Sequence, residues 1–308
     1  MIGKRKRNGF SEDTPITFKQ TTTAYFYLAP ALIIICVFVA YPLIMAFRMS
    51  FYESYNYYKD VGTGFGLKSF KKVLTDPQFH SSAKNTLFLS LVAMPVSLAV
   101  SLVIALLLSG IKKFQGLFQT IFFLPYVTSV IAVGVVFRWL FHSNYGIINY
   151  FIGILGFDAV AWLNDPKAAI YALSVYYIWS GLAFKTIIFL AGLQNIPGFY
   201  TKAARVDGAR AGKIFFRITL PLLSPTIMFL VVISLIDAFK VYNEVYALFG
   251  DLGGPAGSAY TVVFYIYRTF YGAGRMHIAA AAAVILFLFI LAVTLVQLAL
   301  GKRFVHYK

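Results

Sequence analysis

Three ionisable residues interrupt one apolar block of the chain: Asp237, Lys240 and Glu244, with Tyr242 and Asn243 among them. On a single helix the i, i+3 and i+7 spacing places the three on one face. Charge in apolar surroundings is costly, so such groups turn to a cavity or to one another. The spacing allows two readings. The face lines a pathway for a polar solute, with Tyr242 as its aromatic contact, or it forms an ion-pair ladder against a neighbouring helix. Lys185 and Arg138 sit in other apolar blocks, near ends where long basic side chains snorkel to the boundary. Trp139, Trp179 and the 21 tyrosines either stack on a solute ring or form boundary belts.

Catalysis has no comparable foothold. His80, His142, His277 and His306 stand far apart without metal-ligand spacing. Cys36 is the single cysteine, which excludes an intramolecular disulfide and a cysteine metal cluster. No nucleophile stands beside a base, and no G-x-x-x-x-G-K-[ST] phosphate loop is present. The chain is therefore expected to hold no catalytic residue, metal or nucleotide of its own. An integral-membrane enzyme would show a His or acidic cluster at one membrane face, and none is visible.

The elements that carry these residues follow from composition. The chain is 60% hydrophobic and 12% charged, with mean hydropathy +0.76. Soluble domains carry about a quarter charged residues, so the bilayer is the expected solvent. Six segments are long and apolar enough to cross it: roughly 27–47, 86–108, 118–141, 168–190, 224–248 and 278–300. Backbone polar groups in lipid must be satisfied internally, which makes these segments helices and the fold all-α. Pro30, Pro42, Pro95 and Pro125 lie inside them and are expected to mark kinks. Residues 1–26 and 301–308 read as tails around one bundle, 27–300. The basic run Lys4–Arg7 is followed by a polar stretch to Thr23, so a cleavable signal peptide is not expected.

The net charge of +16 would suit nucleic acid, but its distribution does not. With six crossings, fifteen Lys and Arg fall on the side of the termini and nine on the other. That bias predicts cytoplasmic N- and C-termini for a multi-pass membrane protein. No internal repeat of the kind common in secondary transporters is visible.

One loop stands out on the side of the termini, within residues 194–223. Lys202–Pro225 reads KAARVDGARAGKIFFRITLPLLSP and carries five basic residues. Positions 198–209 suit a short amphipathic helix. Ala203, Ala204 and Ala209 are small enough for close approach, and Asp207-Gly208 reads as its end, where glycine tolerates positive φ. Ile214, Phe215, Ile218 and Leu220 form an apolar stripe, and Pro221 and Pro225 suit the start of the next span. On charge alone the loop is equally a basic segment beside anionic lipid.

The order of residues resembles the EAA loop of permease subunits in binding-protein-dependent ABC importers. Ala203-Ala204, Asp207-Gly208-Ala209, Phe215, Ile218, Leu220-Pro221 and Pro225 fit that pattern in register. FFLPYVTSVIAVGVVFRWLF with Gly146 and Asn149, GLQNIPGFY, Gly253-Gly254-Pro255 and YRTF are similar to the sugar branch, the maltose-type or multiple-sugar permeases. The resemblance covers roughly residues 25–300. It implies the type I importer fold in a bacterial-type cytoplasmic membrane, and a second permease, a different chain in this branch. Two ATPase subunits that hold ATP and Mg would dock on the loop from the cytoplasm, and an extracellular binding protein would deliver the solute. A carbohydrate is the implied solute, with a glycerol phosphate as the alternative; a secondary transporter or membrane enzyme is more distant. Lys202 departs from the family, which has Glu there, and this reverses the charge expected at that contact.

Overall fold

The computed structural model describes residues 18–56, 59, 61–111, 113 and 115–304. The basic run Lys4–Arg7, Lys112, His306 and Lys308 lie outside the described residues. Residues up to Arg48 form one unit and the remainder another. In the first unit, α1 (Phe18–Ile35) passes through a wide turn at Cys36–Ala40 into α2 (Tyr41–Ser50). The continuous apolar stretch Thr21–Ser50 has 30 residues, about 45 Å of helix. It is longer than the 27–47 expected, because the apolar pattern underestimates how far helical geometry continues past its own ends.

The second unit begins with an antiparallel hairpin, β1 (Tyr52–Asn56) and β2 (Val61–Phe65), with Ser54 opposite Thr63. The fold is thus helical but not purely so. Phe51, Phe65 and Phe70 pack together beneath the hairpin, and Lys68 pairs with Glu53 at 3.0 Å. α3 (Lys68–Leu74) and α4 (Pro77–Phe88) come next. Asp76 caps α4 by accepting from the Gln78 N–H at 2.8 Å, with Pro77 at the first helical position where its missing N–H costs nothing.

α4 runs through Leu89–Ala93 into α5 (Met94–Gly110). The other helices of the bundle are α6 (Gln115–Val127), α7 (Val130–Leu140), α9 (Ala169–Gln194), α13 (Ser224–Phe239) and α16 (Met276–Phe304). Shorter ones connect them: α8 (Ile147–Ile154), α10 (Gly198–Val206), α11 (Ala211–Ile214), α12 (Leu220–Leu222), α14 (Asn243–Phe249) and α15 (Val262–Tyr267).

Three prolines explain three wide turns. The five-residue π-turns Cys36–Ala40, Leu89–Ala93 and Phe215–Thr219 each end two residues before Pro42, Pro95 and Pro221. A proline ring clashes with the carbonyl four residues back and offers it no N–H. Opening the turn relieves the clash, and the preceding residue donates five residues back: Tyr41 to Cys36, Met94 to Leu89, Leu220 to Phe215. Pro30 sits within α1 without such a turn.

Two expected spans are not single helices. Residues 118–141 split into α6 and α7, because Ser129 is extended at φ −58°, ψ 127°. Thr128 Oγ1 still donates to the Leu124 carbonyl at 3.0 Å, closing α6. Residues 224–248 end early: α13 stops at Phe239, and Tyr242 at φ −140° turns the chain into α14. At the other end, a 65° bend separates Ala211–Leu222 from Ser224–Phe239. Among the described residues, four helices are long and apolar enough to cross a membrane, or five when the bent pair counts as one.

Lipid gives no hydrophobic drive for helix pairing, so contact relies on small residues and van der Waals fit. α5 offers Ser97, Ser101 and Ala105, all buried at four-residue spacing, to α9. A β-carbon on Gly134 of α7 would collide with Ala247 of α14, which sets the closeness of that pair. The segment 250–262 is strapped to α4. Gln78 donates to the Gly257 carbonyl, Asn85 to those of Ser258 and Tyr260, and the Val262 N–H to Thr86 Oγ1 at 3.0 Å. Tyr265 OH donates to Asp76 at 2.7 Å; burial, then this bond, push its phenol well above the ordinary range.

Candidate functional site

A cavity of about 460 Å³ opens between α6–α7, α9 and the α13–α14 corner. α9 supplies its back wall. Tyr176 OH donates to the Val130 carbonyl at 2.6 Å, and Tyr177 OH to the Ser234 carbonyl at 3.3 Å. These two phenols tie α9 to the first turn of α7 and to α13, so the walls are held by hydrogen bonds as well as packing. Trp179, against Phe137 at 5.2 Å between ring centroids, and Phe184, stacked on Tyr126 at 5.8 Å, add aromatic surface.

Asp237, Lys240, Asn243 and Glu244 all line this cavity. They do not do so as one helical face. The Lys240 N–H bonds the Asp237 carbonyl as α13 ends, and Glu244 stands in the first turn of α14. A carboxylate is favoured at a helix N-terminus. The corner between two helices thus gathers what a continuous helix would have placed along a line. An ion-pair ladder is not formed: among the described residues, none of these groups stands within 4 Å of an opposite charge. Tyr242 is turned elsewhere, packed among Tyr246, Phe264 and Tyr267.

Lys185 corrects the expectation of snorkelling. It is buried, and its Nζ donates to Ser97 Oγ at 2.8 Å inside the α5–α9 contact, on the wall of the same cavity. The sequence carried one signal for this, Gly181 four residues earlier on the same face of α9, which leaves space for the ammonium. Arg138 does stay exposed, with a hydrogen bond to the Tyr246 carbonyl at 3.3 Å. Trp139 is exposed and away from the cavity.

The basic loop forms the second feature. α10 spans Gly198–Val206 and buries none of its residues. Phe199 and Val206 are exposed at 61% and 88%, so an apolar edge stands uncovered. Lys202, Ala203 and Asp207 are exposed, and Ala204 and Ala209 half-buried. The helix ends in a Schellman motif: the Gly208 N–H bonds the Arg205 carbonyl and the Ala209 N–H that of Ala204. Gly208 holds φ +74°, as the Asp-Gly pair requires.

Beyond α10, Ile214 is buried, Phe215, Ile218, Leu220 and Pro221 are half-buried, and Phe216 and Arg217 are exposed. The loop's base is fixed. Leu223 at the bend packs with Phe189, Leu190 and Leu230. A β-carbon on Gly192 would press on Thr226 and Leu223, so the end of α9 lies directly against the start of α13.

Comparison with known proteins agrees with this architecture. Residues 97–306 match the family described as binding-protein-dependent transport system inner membrane component. The trehalose/maltose transport system permease protein MalF of Thermococcus litoralis is 29% identical over 93% of this chain and 96% of its own. The lactose transport system permease protein LacF of Rhizobium radiobacter is 32% identical over 79% and 82%. A crystal structure of a bacterial alginate ABC transporter, in complex with an alginate pentasaccharide-bound periplasmic protein, superposes with a TM-score of 0.79. It shares 26% identity and covers 92% of this chain and 96% of that one. With its apolar helices and its match over two thirds of its length, the chain belongs to the inner-membrane permease subunits of binding-protein-dependent ABC transporters.

Proposed function

We propose that this chain is one of two membrane-spanning subunits of an ATP-driven importer, and that its solute is a carbohydrate delivered by an extracellular binding protein. The observation that carries the proposal is the α10 loop. Its residue pattern, its uncovered apolar edge and its fixed base suit a part gripped by a separate subunit. The solutes named for the relatives, trehalose, maltose, lactose and alginate, support a saccharide.

In this reading the chain crosses the membrane six times, with α6 and α7 as one broken crossing and α11–α13 as one bent crossing, and both termini are cytoplasmic. The distribution of basic residues supports that orientation. α10 and the turn after it, from Lys202 through Pro221, dock on an ATPase subunit that holds ATP and Mg. A second, different permease completes the pathway. Closure of the ATPases moves α10 as a lever, and the bend at Leu223 passes that motion to α13 and its polar corner. Asp237, Lys240, Asn243 and Glu244 contact the solute in passage. Lys202, where the pattern has an acid, meets an acidic group on its partner.

Reconstitution tests this. Uptake into proteoliposomes should require the second permease, the ATPases, ATP and the binding protein together. Uptake by the chain alone, driven by an ion gradient, would overturn the proposal.

A further inference from the structure

The Lys185 ammonium sits in a built setting. The residue is 5% exposed, its Nζ bonds Ser97 at 2.8 Å and stands 5.3 Å from the centroid of the Tyr177 ring, within cation–π range. An ammonium carries three N–H donors. Ser97 takes one, and among the described residues no second acceptor stands within hydrogen-bond distance. Two donors are left on the wall of the cavity. A β-carbon on Gly181 would fall on this ammonium, with Ser97 Oγ its next polar neighbour at 3.6 Å. The missing side chain at 181 is what lets the lysine reach α5.

The cavity holds two ammonium groups, Lys185 and Lys240, and two carboxylates, Asp237 and Glu244. Recognition of a phosphate or carboxylate calls for converging cationic donors. Two resident carboxylates oppose a further negative charge. A sugar hydroxyl meets both signs equally well, donating to a carboxylate and accepting from an ammonium. The aromatic rings of Tyr126, Trp179 and Phe184 offer flat faces for the C–H side of a pyranose.

We infer that Lys185 is a solute-contacting, specificity-determining residue, positioned by Ser97 and Gly181, and that with Asp237 and Glu244 it sets the cavity for an uncharged saccharide rather than a uronate or phosphate ester. This rests on the importer reading above. The test uses the complete transporter in proteoliposomes, with labelled maltose, trehalose and lactose as neutral probes and digalacturonate and glycerol 3-phosphate as anionic ones. The wild type takes up a neutral probe in preference. Lys185→Met raises its KM by about tenfold or more, with a smaller change in kcat. Gly181→Ala, which keeps the lysine and favours the helix, shifts KM in the same direction by displacing the ammonium. Asp237→Asn leaves one positive charge in excess and raises digalacturonate uptake relative to the neutral probe. Unchanged KM in both Lys185→Met and Gly181→Ala, or a wild-type preference for an anionic probe, overturns the inference. A wild-type assembly with no ATP-dependent uptake of any probe sinks the importer reading instead.

Discussion

Gly208 shows how much one residue can reveal. Its φ of +74° closes α10, and a β-carbon there would meet nothing within 4 Å. Gly208→Val therefore strains the backbone without a clash, costing about 1–2 kcal/mol, and unwinds the end of an exposed helix. Solute-stimulated ATPase should fall while the amount of assembled transporter in the membrane holds; unaltered stimulation would count heavily against docking by α10. The Asp-Gly pair made this position legible from sequence. The structural role of Asn149 was not legible. The residue lies on α8, 8% exposed, where it donates to the Ser143 and Val160 carbonyls and accepts from the Val160 N–H and the Trp162 indole. Asn149→Ala strands four groups, each worth about 1–3 kcal/mol if left buried and unpaired. A thermal scan of the purified chain should show a transition several degrees lower. Nothing in a lone asparagine on an apolar stretch announces partners farther along the chain, such as Trp162.

At the scale of elements, hydropathy located the helices but not their breaks. The corner at Val241–Tyr242 comes from backbone angles that no apolar pattern encodes, and it overturned the single polar face while keeping its charged members together. The proline turns were half legible: Pro42 and Pro95 marked irregularities, but the form of the irregularity follows from the i→i−5 bond. Pro95→Ala restores the missing donor toward Leu91 and lets the turn close. Removing one residue from a helical turn rotates the remainder of the helix by about 100°, which carries Ser97 away from Lys185. Uptake should then drop sharply while the chain still inserts and assembles in the membrane. Equal uptake would mean that the α4–α5 turn does not set the cavity wall.

For the whole molecule, composition alone places the chain in lipid, and the order of residues in one loop places it among permeases. What composition could not supply is which charged side chains turn inward. Lys185, Arg138 and Lys240 all look alike in an apolar run, and packing at Gly181, Tyr246 and the α13–α14 corner separates them. Sidedness is open to a direct measurement. Cys36 is exposed and unpaired with another cysteine, so Cys36→Ser should be tolerated and give a thiol-free background. In that background, Lys202→Cys should react with an impermeant maleimide only from inside-out vesicles, and Lys68→Cys only from right-side-out ones. Labelling of both from one face would refute the six-crossing arrangement.

The strap between α4 and residues 257–262 has one further consequence. Gln78 and Asn85 donate to that segment and Thr86 accepts from it, whereas the α6–α7 break at Thr128–Ser129 is exposed and Thr128 lines the cavity. The two segments then differ in how readily they breathe. Deuterium should enter the amides around 128–130 quickly and those of 258–262 slowly, and the cavity would yield first at the wall where the chain breaks between α6 and α7.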